Sequence, residues 1–259
     1  MNTSLLYNVD AFVIAIVMAA LMVLFTYSGN LVSRQFGSED TGEKKSIHSW
    51  VQTFLFTLLS LLLAVTFGMS ESRFDVRRAN VVQEANDIGS ARSCSDLYSD
   101  SLRDAFRADF KRYIDYRIEY YEAGRNEDKV LNAFDSGGVF AQHIWSRAAT
   151  LSQQPQYLAA SSQMLPAINT MTDIATARHI ALNARVPDTI VFMLFAVALA
   201  CSFLGGYFSR TMKGSDWLVM TGFALLTAFV LYITLDLDRP RRGLINVRAA
   251  HEAMYGLRK

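Results

Sequence analysis

Cysteine is scarce in this chain, basic tracts are missing, and long stretches hold no charge. Only two of the 259 residues are cysteine. Cys201 lies inside an apolar run and Cys94 in a charged region, so a mutual disulfide is implausible, in keeping with a reducing compartment around Cys94. The net charge is +1, and the absence of a basic tract argues against nucleic acid as a partner. P-loop, GxSxG, HExxH and paired Cys-x-x-Cys signatures are all missing, which removes the common nucleotide, acyl-transfer and zinc chemistries. His48, His143, His179 and His251 are scattered and read as surface or packing histidines. Asp96, Asp100 and Asp104, with Arg103 and Arg107, read as a solvated helix face. The expectation is no enzyme, no cofactor and no metal.

What the chain does have is apolarity in blocks. Hydrophobic residues make up 51% and charged residues 19%, with a mean hydropathy of +0.17. That balance fits membrane spans joined to a water-exposed part. Four windows lack Lys, Arg, Asp and Glu: Ala11 to Tyr27, Val51 to Met69, Thr189 to Phe208 and Trp217 to Leu235. Each runs about 17–20 residues, enough to cross a ~30 Å hydrocarbon core. The first reads as a retained span, because Asp10 rather than Lys or Arg precedes it and no small-x-small cleavage site follows.

The expected fold is therefore an all-α integral membrane protein with four transmembrane helices. A cytoplasmic helical domain is inserted between the second and third. Residues 1–69 would hold the first two spans (about 11–29 and 50–69) and 70–188 the domain. Residues 189–237 would hold the last two spans (189–208 and 217–237), and 238–259 a basic cytoplasmic tail. Four spans place both termini and the domain on one side. That side carries Arg73, Arg77, Arg78, Arg185, Arg239, Arg241, Arg242 and Arg248 near the membrane, against Arg34, Lys44, Lys45, Arg210 and Lys213 on the other. The positive-inside rule makes the first side the cytoplasm, for a multi-pass protein of the cell's inner (plasma) membrane.

Periodicity divides residues 70–188 into about four helices. The first continues the second span without a glycine–proline break, through "SRFDVRRANVVQEANDIG" (Ser72 to Gly89), and keeps Phe74, Val81, Ala85 and Ile88 on one stripe. The second, about Ser99 to Ala123, lines up Leu102, Phe106, Phe110, Tyr113, Ile114, Arg117 and Tyr121, with Gly124 placed as a C-terminal cap. The third covers about Asp128 to Leu151 with an interruption expected at Gly137-Gly138. The fourth runs from about Ser161 to Ala184.

In the second span Ser60, Ala64 and Gly68 recur every fourth residue. Such a face either lets membrane helices approach closely or borders a water-filled pore. Below it stand Arg73, Asp75, Arg77, Arg78 and Glu84, which near a membrane must be solvated or paired.

"LLLAVTFGMSESRFDVRRANVVQEANDIG" (Leu61 to Gly89) resembles the bestrophin-like membrane proteins of bacteria and plants, distant relatives of the bestrophin channels. The resemblance rests on Arg73-Phe74-Asp75 with Arg77-Arg78, Glu84-Ala85-Asn86 with Ile88-Gly89, and Ile144-Trp145. It extends through "INTMTDIATARH" (Ile168 to His179), Arg185-Val186-Pro187 and "LDLDRPRRGLI" (Leu235 to Ile245). It implies a ring-shaped homo-oligomer, a pentamer in bestrophins, with the pore lined at Ser60, Ala64 and Gly68; in the channel reading Phe67 or Met69 rotates in as a gate. Arg73, Asp75, Arg77, Arg78, Glu84 and Asn86 would form the inner mouth or a charge network between subunits. The post-span motif is Asp238, Arg239, Pro240, Arg241 and Arg242, where calcium-sensing bestrophins carry acidic residues. Bestrophin necks are also bulkier than Ser60, Ala64 and Gly68. The leading expectation is an ion channel, anions slightly favoured, with membrane lipid, further copies of the chain and permeant ions as partners. The alternative is a membrane-anchored sensor or scaffold that conducts nothing.

Overall fold

A run of uncharged apolar residues satisfies its backbone most economically as helix, the only open-ended element that leaves no polar group unpaired in hydrocarbon. The computed structural model describes residues 9–36, 42–124, 126–209, 213–239 and 248–258. Among these no strand occurs. The helices are α1 (Ala11–Phe36), α2 (Gly42–Ser93), α3 (Asp100–Glu122), α4 (Glu127–Ser152), α5 (Leu158–Asn183), α6 (Asp188–Phe208), α7 (Gly214–Leu237) and α8 (Arg248–Gly256). Short 3-10 turns at Cys94–Leu97 and Pro155–Tyr157 lead into α3 and α5. The four apolar windows fall in α1, α2, α6 and α7, within stretches long and apolar enough to cross a membrane. The chain forms two compact units, Met1–Ser72 with Arg185–Arg239, and Arg73–Ala184 with Pro240–Lys259.

In the first unit α1 packs along α6 and α7. Its core is made of Met18, Met22, Leu59, Leu194, Ala198, Cys201 and Leu231. The α1–α6 contact is made by backbone. A Cβ placed on Gly29 would overlap the Phe203 carbonyl oxygen, and one on Gly206 would overlap that of Thr26. Glycine at both positions lets the helices touch, as is common where lipid offers no hydrophobic drive for association. Hydroxyls inside the spans bond back to their own helix: Thr26 to the Met22 carbonyl (2.9 Å), Thr66 to Leu62 (2.7 Å) and Thr234 to Val230 (2.8 Å).

The second unit is a helical bundle. Asn126 caps α4 by accepting from the Lys129 amide at 3.0 Å, with Glu127 and Asp128 at the positive end of the helix dipole. Gly124, at φ +56°, ends the preceding turn in the left-handed region where glycine carries no Cβ penalty. The core combines Ala85 and Ile88 of α2, Phe106, Phe110 and Ile114 of α3, Ile144 and Ala148 of α4, and Met164 and Met171 of α5. Two sequence expectations change. The interruption at Gly137-Gly138 is absent: α4 runs through, and Gly137 is buried against the side chains of Tyr113, Tyr116 and Arg117. The C-terminal segment is more than a basic tail, since α8 buries Met254 completely in this core.

Candidate functional site

Helix α2 is 52 residues long, with residues in both units, and has a buried side in each. In the first unit Leu59, Thr66 and Ser70 are buried. In the second, Arg77, Val81, Glu84, Ala85 and Ile88 are. These positions recur at three, four and seven residues, the spacing of one helical face. In each unit the arc opposite is uncovered: Thr57, Ser60, Leu61, Ala64, Val65 and Gly68 in the first, and Asp75, Ala79, Val82 and Asn86 in the second. A Cβ added at Gly68 would meet nothing within 4 Å. Among the described residues the small-residue stripe is exposed. Leu61, 59% exposed, shares its arc, whereas Phe67 and Met69 are half-buried.

The charges below separate into two classes. Asp75 and Arg78 are exposed and Arg73 is half-buried, while Arg77 and Glu84 are buried. Glu84 is the centre of a closed cluster. One carboxylate oxygen accepts from Nε of Arg117 on α3, and the other from Nη1 of Arg178 on α5. All three side chains are at most 2% exposed. Nη2 of Arg178 reaches Nε2 of His251 on α8 at 3.0 Å, and the Tyr121 ring stacks on that imidazole with centroids 3.4 Å apart. A guanidinium can only donate, so Nε2 accepts and the imidazole is neutral. Tyr120 lies against both guanidiniums, at 4.8 Å from Arg117 and 5.5 Å from Arg178.

Burial alone would raise the Glu84 pKa, but Arg117 and Arg178 outweigh it and hold the carboxyl below its usual range. His251 is pushed down to about 3, first by burial and then by the Arg178 charge. The cluster thus holds one anion, two cations and a neutral ring. A charge network between subunits would put Glu84's partners on neighbouring copies. They stand within the same chain, on helices that no local pattern connects to α2.

Asp238 and Arg239 serve the first unit. The Asp238 carboxylate accepts from the Val186 amide at 3.0 Å, tying the end of α7 to the start of α6, and Arg239 donates to the Val9 carbonyl. Pro240, Arg241 and Arg242 lie outside the described residues. Among the described residues no three His, Cys, Asp or Glu side chains converge as a metal site.

The model of the bestrophin-like domain matches residues 20–251. The chain belongs to the bestrophin-like family. Solved structures agree on the fold. One variant of a bacterial bestrophin homolog from Klebsiella pneumoniae superposes with a TM-score of 0.69 at 12% identity, covering 96% of each chain. A second variant gives 0.66 at 12% identity, covering 93% of this chain and 97% of that one. No curated protein matches. The Glu84 cluster ties the second half of α2 to α3 and α5.

Proposed function

We propose that the chain assembles into a homo-oligomeric ring, the pentamer implied by the bestrophin likeness, and conducts small ions along α2. The observation that carries this reading is the uncovered arc of α2. Ser60, Ala64 and Gly68 lie on it, are exposed, and would offer a wall whose bore is set by very small side chains. Phe67 and Met69 flank that wall as gate candidates. Asp75 and Arg78 are exposed and Arg73 is half-buried, while Arg77 and Glu84 are buried, which supports Arg73, Asp75 and Arg78 as the mouth charges. An anion preference then rests on Arg73 and Arg78 outweighing Asp75, and the reversal potential in a salt gradient measures it. The second unit and both termini are proposed to be cytoplasmic. A reporter fused after Lys259 should be active inside the cell, and one inserted near Gly42 outside it. The deciding experiment is ion flux through the purified protein in liposomes. Flux above empty vesicles supports a channel, and its absence in a folded oligomer favours the non-conducting scaffold.

A further inference from the structure

Between α3, α4 and α5 the second unit holds an open-mouthed cavity of about 330 Å³. That is the lower end of the range small-molecule sites occupy. Phe134, Trp145 and Ile168 supply apolar wall, and Gln142, Asn169 and Thr172 bring polar groups to it. Two buried side chains in the lining have unmet polar atoms: Nη2 of Arg117 and the hydroxyl of Tyr113 make no hydrogen bond. The two residues are 1% and 2% exposed, and neither atom has a hydrogen-bond partner among the described residues. Folded proteins rarely keep buried donors unpaired, because the desolvation cost is then uncompensated.

The charge balance points the same way. Glu84 is shared between Arg117 and Arg178, and His251 accepts from Arg178 as a neutral ring, leaving one positive charge in excess in a water-poor interior. The geometry points to a binding site for a small organic carboxylate. Its carboxylate would accept from Arg117 and Tyr113, and its apolar body would lie against Phe134 and Trp145. A single carboxylate matches one guanidinium edge and one hydroxyl. A phosphate dianion would be under-neutralised, as no lysine and no second cation lines the cavity, and a monatomic anion would leave the apolar wall unused.

The test uses the full chain purified in detergent, with benzoate as probe and benzamide as its uncharged counterpart. Benzoate should raise the unfolding temperature saturably at millimolar concentration and change the tryptophan emission. Trp145→Phe should abolish the emission change, since the other tryptophans, Trp50 and Trp217, lie in the other unit. Benzamide should bind about tenfold more weakly or worse. Two variants keep the test independent of folding. Gly138 lines the cavity and an added Cβ there meets nothing within 4 Å, so Gly138→Leu should fold normally, fill the space and abolish binding. Tyr113→Phe removes an unpaired hydroxyl, so the empty protein should be no less stable while benzoate binding weakens about tenfold. Equal binding of benzamide, an equal shift from inorganic phosphate or chloride, wild-type binding by Gly138→Leu, or no saturable response to benzoate would each overturn the proposal. Binding is read without ion flux, so the outcome is independent of whether the protein conducts.

Discussion

The two units of this chain hold themselves together by opposite means. In the first, α1 and α6 touch backbone to backbone at Gly29 and Gly206, and the hydroxyls of Thr26 and Ser202 bond back to their own helices. In the second, helices that share an aromatic and aliphatic core are cross-linked by the Glu84, Arg117, Arg178 and His251 cluster. The difference follows from the surroundings. Lipid provides no hydrophobic drive between helices, so close approach does the work. The second unit gets its cohesion from a buried apolar core, and its buried ion pairs then specify which helices meet.

That contrast can be broken at its charged end first. Glu84→Ala would leave two guanidiniums buried without their shared anion, and removing one partner of such a group typically costs about 3–5 kcal/mol. The variant should show a large loss of thermal stability, with the second unit becoming protease-sensitive while the spans stay membrane-embedded. Wild-type stability would mean the cluster is solvated rather than closed.

The other end should respond to size. Gly206→Ala puts a methyl group onto the Thr26 carbonyl, and overpacking of this kind costs about 1–3 kcal/mol. Gly68→Ala, where a Cβ meets nothing within the chain, should change monomer stability by less than about 0.5 kcal/mol. Equal effects of the two substitutions would erase the distinction between the packed and uncovered faces.

A pH slope tests the neutral ring of the cluster. His251 is neutral when folded, with its pKa pushed down to about 3, while the unfolded imidazole protonates near 6.5. Between those values the unfolded state binds the extra proton, so stability should fall on acidification by up to about 1.4 kcal/mol per pH unit. The Glu84 contribution, from a lowered pKa, is present above about 4.5 and is lost only at lower pH. Unfolding measured from pH 7 to 5 should therefore show the histidine slope alone, and His251→Gln should flatten it.

Much of the helical layout was legible beforehand because it is local. The stripe Phe74, Val81, Ala85 and Ile88 gave the register of α2, and Gly124 marked the end of α3 through its positive φ. Arg117 stood conspicuously among the buried residues of α3, and that was the available signal for the cluster. Its partners were not legible. Arg117 is 33 residues from Glu84, Arg178 is 94 residues from Glu84, and His251 is 73 from Arg178, so only the tertiary fold pairs them. The same reasoning explains α8. Nine residues long, it is stabilised by docking Met254 rather than by its own propensity, and no periodic pattern announces it. The Gly137-Gly138 pair misled because a glycine's weak helix propensity is overridden where a large neighbour, here Arg117, packs over it.

The central claim is that the uncovered arc of α2 borders water in the assembled protein. Cysteines introduced at Ser60, Ala64 and Gly68, and at the buried Leu59 and Thr66 as controls, can be challenged with a membrane-impermeant thiol reagent during ion flux. The native Cys201 and Cys94 would first be replaced by serine. The account predicts that modification at 60, 64 and 68 blocks flux while the oligomer stays intact, and that 59 and 66 are untouched. Protection at all five positions, with flux unchanged, would contradict it and make this face a contact between helices rather than the wall of a pore.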